Sequence, residues 1–555
     1  MRVGAVALAC AIGLGIGATL QVMPSTAPSA PPASQQPPKV ALDDAPNVLV
    51  IETDDMRSDE LRFMPNVEKF IARRGLNFRN SFAPNPLCCP SRTSFLTGEY
   101  SHNHRVLSHF SPYGFQAFND ADTLATRLQD AGYRTALIGK YLNGYGNQHV
   151  FGTKEPSLNY VPPGWDQWMA GVEYPFPKGS TLAGGTYNYM SMTLNVNGNV
   201  VGNRGVYSSD MTARRTRAVV DGFEAEKLPW FVWWTPVAPH FGMPIEPDDP
   251  RNVVRPDGQV RPMDTPARPE WVRGKFDKQI KHGFGVRADG TTETDIQDKP
   301  RFMQKLELTP SELRAVRTNS RQCAESLYAL DKQIGVTIEH LKSIGALDNT
   351  YLVFTSDNGY FLGEHRKRGG KILSHEPSLR VPLLIAGPGV PVGERFDPAM
   401  TIDLAPTIST WAGAEIPRSC DGMPLQSAIN HDSGWNRVVL TEGLVEALEE
   451  PLGLPSFPSG LSITGIRVNR WAYFRYGSGA AEMYDLKVDP LEMQNLYKDP
   501  AYADVRRQLQ DVWTRYQMCQ GRECRIPLPD ELRATPEEAR ELVDYQDART
   551  QAYYE

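Results

Sequence analysis

Short apolar runs alternate with amphipathic segments along most of the chain, between about residues 44 and 413. Residues 47–51 (Asn-Val-Leu-Val-Ile) form a nearly continuous apolar run, which is typical of a strand buried on both faces of a sheet. Similar runs occupy Thr135–Ile138, Phe231–Trp234, Tyr351–Thr355 and Val381–Ile385. Between these runs, spacing and stop signals predict helices over Phe63–Arg74 and Thr123–Ala131, and a capping box at Thr309–Glu312 opens a longer amphipathic helix. The alternation predicts an α/β domain with a largely parallel central sheet flanked by helices.

Two regions depart from this pattern. Residues 414–555 carry a strand, a turn at Pro490 and a helix over Pro500–Tyr516, which together predict a smaller C-terminal α+β subdomain. The stretch Pro244–Pro300 is rich in proline and aspartate and has little periodicity. We therefore expect this stretch to face a substrate rather than to contribute core.

Residues 1–43 have the composition of a targeting segment. Arg2 precedes the apolar run Val3–Leu20, and a stretch rich in Pro, Ala and Ser follows from Pro24 to Pro38. This order predicts a signal peptide and a flexible linker, and hence a secreted or cell-envelope protein. A retained membrane anchor is the alternative, because the apolar run is nearly long enough to span a bilayer.

Composition narrows the class of protein further. The 555 residues are 41% hydrophobic and 22% charged, as in soluble globular proteins, and the net charge of −7 argues against a nucleic-acid partner. The seven cysteines are too few for a disulfide scaffold. Cys519 and Cys524 enclose a short loop and are expected to pair in an oxidising compartment, whereas Cys323 and Cys420 are expected either to pair or to stay free.

Polar residues follow the predicted strands at the points where these strands end. They are Asp54 and Asp55 after the first, Lys140 after the second, His240 beyond the third, and Asp357 and Asn358 after the fourth. Open α/β sheets bind ligands at the carboxyl ends of their strands, so we expect these side chains to converge. Singly, each acidic pair could be an N-cap or a turn. Together, their hard oxygen donors predict a site for Ca²⁺ or Mg²⁺.

The segment Cys88–Gly98 reads C-x-P-S-R-x-x-x-L-T-G. Pro90 suits the first turn of a helix, and Gly98 suits its end. Cys88 would therefore lie at a helix N-terminus, where an anion is favoured, with Arg92 one turn further on. The simpler interpretation is that Cys88 and its neighbour form a buried structural pair before an ordinary helix.

This motif resembles the signature of the type I sulfatases, which depend on formylglycine and belong to the alkaline-phosphatase superfamily. The T-D-D segment before it and the G-K, P-x-x-P-H-like and S-D-N-G segments after it stand in the order found in that family, from about Pro46 to Gly413. The resemblance implies that a formylglycine-generating enzyme oxidises Cys88 to Cα-formylglycine. It also implies that the hydrated aldehyde at residue 88 binds a divalent cation, usually Ca²⁺, with Asp54, Asp55, Asp357 and Asn358.

The resemblance assigns the remaining polar residues to the sulfate group. Arg92 would stabilise the aldehyde hydrate, and Lys140, His240 and Lys371 would hold the sulfate oxygens. One hydroxyl of the hydrate would attack sulfur, and either His240 or Lys371 would protonate the departing alcohol. Many sulfatases place a histidine two residues after the first lysine, whereas this chain has Leu142 there and Asn143 next.

Further segments are most similar to the N-acetylglucosamine-6-sulfatases, a group that shares the departure at residue 142. They are residues 87–92 (L-C-C-P-S-R), 101–104 (S-H-N-H), 139–143 (G-K-Y-L-N) with Tyr145-Gly146, 161–165 (V-P-P-G-W) and 187–189 (Y-N-Y). Residues 482–496 resemble the C-terminal segment of sulfatases in general. The resemblance implies removal of sulfate from a sulfated sugar such as N-acetylglucosamine 6-sulfate in a glycosaminoglycan. The alternatives are a generalist arylsulfatase, a phosphonate or phosphate monoesterase on the same fold, and a non-catalytic glycan-binding protein.

Selectivity for a sugar would come from loops around the sheet. The candidates are the His102–His104 turn, the Trp165–Trp168 segment and the stretch Pro244–Pro300. The two tryptophans could stack on a sugar ring or belong to the core.

Overall fold

A computed structural model describes residues 41–445 and 461–554. The predicted signal peptide and most of the predicted linker lie outside the described residues. Within the described ranges, no helix combines the length and the apolar character needed to cross a membrane.

The strands and helices are as follows. The strands are β1 (Asn47–Thr53), β2 (Leu76–Phe82), β3 (Arg134–Gly139), β4 (Gln167–Gly171), β5 (Thr193–Val196), β6 (Asn199–Gly202), β7 (Trp230–Thr235), β8 (Val253–Val254), β9 (Val260–Arg261), β10 (Thr350–Ser356), β11 (Leu383–Ala386), β12 (Gly393–Met400), β13 (Val439–Val445), β14 (Leu461–Val468), β15 (Trp471–Tyr476) and β16 (Ala481–Asp485). The α-helices are α1 (Pro65–Phe70), α2 (Cys88–Thr97), α3 (Ser101–His104), α4 (Leu124–Asp130), α5 (Ser208–Glu226), α6 (Pro310–Ser343), α7 (Glu376–Leu379), α8 (Leu404–Ala412), α9 (Gln426–Asn430), α10 (Ala503–Tyr516) and α11 (Pro536–Tyr554).

A ten-stranded sheet forms the centre of the fold, in the order β12-β2-β11-β10-β1-β7-β3-β4-β5-β6. Strands β10, β1, β7, β3 and β4 are parallel, as the alternating pattern predicts. The sheet is mixed, because β11 runs antiparallel to both β10 and β2, and β5 and β6 add antiparallel strands at the far edge. A smaller antiparallel sheet, β13-β14-β15-β16, lies in the C-terminal region.

Strand β1 shows why the sheet is buried on both faces. Val48 and Val50 lie in one hydrophobic cluster with residues of α2, α4 and α8, while Leu49 and Ile51 lie in another with residues of α1, α5 and α6. Alternate side chains of a strand point to opposite faces, so an unbroken apolar run serves both layers. Because β1, β3, β7 and β10 run parallel, their carboxyl ends lie at the same edge of the sheet.

The stretch Pro244–Pro300 contributes core, contrary to the expectation that it would not. Phe276, Ile280 and Phe284 pack with Phe63 and with apolar residues of α6 in a separate cluster. Buried Arg268 also pairs with Glu246 and with Glu325 of α6. The expectation was wrong because spaced single apolar residues in an irregular segment produce no periodicity, although they are buried.

The cysteines behave as two groups. Cys519 and Cys524 form a disulfide, as expected. Cys323 and Cys420 are buried, and within the described part of the chain neither forms a disulfide, so the pairing left open by the sequence is absent here.

Candidate active site

Four buried side chains from three loops meet at the carboxyl edge of the sheet. Asp54 and Asp55 follow β1, Cys88 is the first residue of α2, and His240 lies beyond β7. One potential ligand atom from each of the four lies within 4.8 Å of the others. Asp55 has a positive φ of 68°, a backbone conformation that non-glycine residues seldom adopt and that occurs at functional sites.

The thiol of Cys88 lies between carboxylates and an ammonium group. Its sulfur is 3.2 Å from Asp54 Oδ1 and 2.6 Å from Lys371 Nζ. Burial raises the pKa of the thiol well above its ordinary value, and the charges of Asp357 and Asp54 raise it further. The unmodified thiol is therefore protonated at neutral pH and is a poor nucleophile.

Two buried lysines neutralise the two adjacent aspartates. Lys140 Nζ donates to Asp54 Oδ2 at 2.7 Å, and Lys371 Nζ donates to Asp55 Oδ1. Burial alone would lower the pKa of each lysine, but the aspartates outweigh burial and raise both pKa values. Burial would likewise raise the pKa of Asp54, and Lys140 and His240 hold it below its ordinary value. All four groups are therefore charged at neutral pH.

Arg92 lies next to this cluster and is completely buried. Its Nε donates to Asp357 Oδ2 at 2.7 Å, and its Nη1 is 3.8 Å from Glu52 Oε2. Glu52 was missed by the sequence analysis, although a carboxylate inside an apolar strand is a signal that could have found it. Burial raises the pKa of Glu52 to about 7, against the opposing effect of Arg92. Arg92 therefore contacts the carboxylate layer rather than the thiol.

Asp357 and Asn358 connect to the cluster through Asp55. The Asp55 amide donates to Asp357 Oδ1 at 3.1 Å, and Asn358 Nδ2 donates to Asp55 Oδ1 at 2.6 Å. Two buried oxygens, Asp55 Oδ2 and Asn358 Oδ1, accept no hydrogen bond from the described residues. Buried acceptors without donors are costly, and hard oxygen donors are the usual ligands of Ca²⁺ and Mg²⁺. The residues present therefore fit a divalent cation.

His240 faces the cluster through one nitrogen. Its Nδ1 lies 2.7 Å from the carbonyl oxygen of Phe241 and so donates its proton there. Its Nε2 is 3.6 Å from Asp55 Oδ2. Burial lowers the pKa of His240, although Asp54 and Asp55 raise it. The ring of Tyr187 stacks on the imidazole with centroids 4.4 Å apart.

The candidate selectivity residues lie elsewhere. Trp168 is completely buried and Trp165 is only 9% exposed, so both belong to the core and neither stacks on a ligand. His102 joins α3 to β13 and to the disulfide loop, because its two ring nitrogens lie 2.7 Å from Glu442 Oε1 and from the Cys519 carbonyl. The selectivity expected from these residues is not supported.

Comparison with known proteins agrees with the fold. The sulfatase family model matches residues 46–414, and a model described as the C-terminal region of N-sulphoglucosamine sulphohydrolase matches residues 363–518. A solved protein described in complex with its substrate D-glucosamine-2-N,6-O-disulfate superposes with a TM-score of 0.63 at 23% identity, covering 87% of this chain and 98% of the other. That likeness supports the mixed, mostly parallel sheet.

Curated relatives extend over most of the chain. An arylsulfatase of Volvox carteri is 29% identical over 87% of this chain and 76% of its own length. The N-acetylglucosamine-6-sulfatase of Homo sapiens is 28% identical over 87% of this chain and 86% of its own length. An extracellular sulfatase SULF-1 homolog of Drosophila melanogaster is 29% identical over 68% of this chain, which corresponds to 30% of that protein. With its fold, its carboxyl-edge cluster and this family match, the chain belongs to the sulfatase family, enzymes that hydrolyse sulfate esters.

Proposed function

We propose that this sulfatase uses formylglycine at residue 88 and a divalent cation to remove sulfate from a sulfated sugar. The observation that carries the proposal is the position of Cys88. It is the first residue of α2, where backbone amides favour an anion, and it lies against Asp54 and Lys371. An ordinary structural cysteine would not need charged groups of both signs around its sulfur.

The proposed modification explains an otherwise unreactive thiol. Burial and nearby carboxylates keep the pKa of Cys88 high, so little of the nucleophilic thiolate forms. An aldehyde at this position, once hydrated, would supply one hydroxyl to attack sulfur and a second to expel sulfate afterwards. A formylglycine-generating enzyme is the partner that this proposal requires.

The proposed cation site consists of Asp54, Asp55, Asp357, Asn358 and residue 88. The oxygens of Asp55 and Asn358 without hydrogen-bond donors support it. When bound, Ca²⁺ or Mg²⁺ would stabilise negative charge and lower the pKa of a coordinated hydroxyl.

The chain's own cations would hold the sulfate group. Lys140 pairs with Asp54 and Lys371 pairs with Asp55, and both lysines stay charged. Arg92 orients Asp357 through the bond from its Nε to Asp357 Oδ2. Negative charge develops on the departing oxygen as the ester bond breaks, so fixed ammonium groups next to the transferring sulfuryl group would stabilise the transition state more than the substrate.

Two groups can protonate the departing alcohol. Lys371 carries a proton and its Nζ lies 2.6 Å from the Cys88 sulfur. His240 presents Nε2 toward Asp55, with its Nδ1 proton held by the Phe241 carbonyl. This tautomer has no proton on Nε2, so Lys371 is the proposed proton donor, and His240 would take up a second proton when it holds a sulfate oxygen.

The proposed substrate is an N-acetylglucosamine 6-sulfate unit, as in a sulfated glycosaminoglycan. The human relative and the sequence segments shared with that group support it. A generalist arylsulfatase is the alternative, which the equally similar Volvox relative supports. Export is also proposed, from the composition of residues 1–43 and the extracellular Drosophila relative.

The test compares purified enzyme, whose active-site peptide has been checked for formylglycine, on matched esters. We expect kcat/KM for N-acetylglucosamine 6-sulfate to exceed that for nitrophenyl sulfate, with little turnover of nitrophenyl phosphate or of a phosphonate ester. A higher kcat/KM for nitrophenyl sulfate would favour the generalist arylsulfatase. Preferred hydrolysis of the phosphorus esters would contradict both sulfatase assignments.

A further inference from the structure

Three polar residues, Asn143, Glu173 and Tyr187, form a network next to Lys140 and His240. Asn143 Nδ2 donates to the Tyr187 hydroxyl at 2.6 Å and to Glu173 Oε1 at 3.1 Å. The amide of Gly144 donates to Glu173 Oε2 at 2.8 Å. The Tyr187 hydroxyl also hydrogen-bonds to Glu173. The hydroxyl is therefore held from two sides.

The aromatic ring of Tyr187 lies against two residues of the cluster. It stacks on His240 with centroids 4.4 Å apart and an interplanar angle of 24°. It also lies 5.1 Å from Lys140 Nζ, within the range of a cation–π contact. The Nδ1 bond to the Phe241 carbonyl fixes one end of the imidazole, and the rings of Phe241 and Tyr187, with centroids 4.1 Å and 4.4 Å from its own, restrict its rotation.

The polar side chain in this segment comes from residue 143 and not from residue 142. Leu142 is buried in the hydrophobic core, and so contributes no polar group to the cluster. The next residue, Asn143, is the one that reaches Tyr187 and Glu173. The main chain of Asn143 is itself held by Cys89, whose sulfur lies 3.6 Å from the Asn143 carbonyl oxygen.

We infer that Tyr187 is a positioning residue for His240, with Asn143 and Glu173 holding its hydroxyl in place. This inference rests on the proposed function, because it requires His240 to act on the sulfate ester. The ring keeps the imidazole plane in the orientation that directs Nε2 toward Asp55. Residues that orient a group in contact with substrate typically change activity about 10–100-fold when they are altered.

A double-mutant cycle tests the inference. Tyr187→Leu should lower kcat about 10–100-fold with KM changed less than about threefold, whereas Tyr187→Phe, which keeps the ring but loses the hydroxyl that Asn143 and Glu173 hold, should lower kcat only about 3–10-fold. In a His240→Ala background, Tyr187→Leu should cost less than about threefold, because the group it positions is gone. Tyr133→Phe is the matched control for Tyr187→Phe, since the hydroxyl of this buried tyrosine donates to the Pro46 carbonyl at 2.8 Å, at the other end of the sheet.

The outcomes are separable. An equal loss from Tyr187→Leu in both backgrounds, or a loss confined to KM, would overturn the positioning role in an active enzyme. If Tyr187→Leu does not fold, Asn143→Ala decides, since it leaves the ring in place and should lower kcat about 3–10-fold in the wild-type background only. A wild-type enzyme that is fully modified and hydrolyses no sulfate ester would remove the proposed function, and this inference with it.

Discussion

The ammonium nitrogen of Lys371 lies 2.6 Å from the sulfur of Cys88, although 283 residues separate them in the chain. The two segments are joined by their backbones, because the Ile372 amide donates to the Pro86 carbonyl at 2.9 Å. Leu87 and Ile372 also pack in one hydrophobic cluster with residues of β14, β15 and β16. The C-terminal sheet thus supports both the start of α2 and the Lys371 loop.

The first prediction separates the two adjacent cysteines. Cys88→Ala and Cys88→Ser should abolish turnover, because the sulfur at residue 88 contacts Asp54 and Lys371. Cys89→Ala should retain most activity, since the Cys89 thiol instead donates to the Asn143 carbonyl. Initial rates with matched circular dichroism spectra measure the effect. Equal losses from Cys88→Ala and Cys89→Ala in folded proteins would contradict the assignment.

Mass spectrometry checks the same position independently. Conversion of cysteine to formylglycine lowers the mass of the active-site peptide by about 18 Da, and the loss should map to residue 88. An unmodified peptide in a fully active preparation would rule out the aldehyde mechanism.

The second prediction concerns the cation. Exhaustive chelation should remove activity and lower Tm, because the carboxylates of Asp54 and Asp55 would lose a bound counter-charge. Adding Ca²⁺ or Mg²⁺ should restore both properties, and metal analysis should give about one ion per chain. Asp55→Asn should weaken the metal-dependent rise in Tm, while the exposed Asp348→Asn should leave it unchanged. Full activity in metal-free protein would contradict the site.

The third prediction identifies the proton donor. Loss of a general acid slows esters with basic leaving groups far more than nitrophenyl sulfate, whose leaving group needs no proton. Lys371→Ala should therefore lower kcat for a sugar 6-sulfate more than for nitrophenyl sulfate, by a further factor of about 10². His240→Ala should lower both rates by similar factors. The reverse pattern would assign the acid role to His240.

The strand-end residues could be predicted because topology is readable from the sequence. Parallel strands bring their carboxyl ends together, so residues after β1, β3, β7 and β10 had to share one edge. Lys371 follows no parallel strand, and only the family resemblance pointed to it. Its approach to Cys88 depends on packing against the C-terminal sheet, and local patterns do not encode such packing.

The misses have a common physical cause. Trp165 and Trp168 are amphipathic side chains whose burial depends on distant partners, here Phe231 and Tyr141. Glu52 occupies a core strand position that apolar patterning would assign to a hydrophobe, and the partner that permits it, Arg92, lies 40 residues away. Tertiary partners decide whether a polar group can be buried. The residues at the strand ends could therefore be predicted from the sequence, but buried partners such as Glu52 could not.

A pair of carboxyl groups far from the candidate site provides a separate test of electrostatics. Asp397 on β12 is buried and hydrogen-bonds to Asp432, while its oxygens also accept from the Ser433 amide. Burial, together with the adjacent carboxyl, raises the pKa of Asp397 from 3.8 to about 7. The folded protein therefore keeps the Asp397 carboxyl protonated at pH values below about 7.

The fourth prediction follows from the sign of that change. Because the folded state binds this proton more tightly than the unfolded chain, its stabilising effect is complete below the unfolded pKa of 3.8 and is lost as pH rises through about 7. When the pH rises from 5 to 8.5, the free energy of unfolding of wild type should fall as Asp397 ionises. In Asp397→Asn this fall should be smaller by about 2–4 kcal/mol, because the amide cannot ionise. Urea unfolding at the two pH values measures this difference, and exposed Asp348→Asn should follow wild type. An equal fall in the free energy of unfolding for Asp397→Asn and wild type would contradict the raised pKa of Asp397.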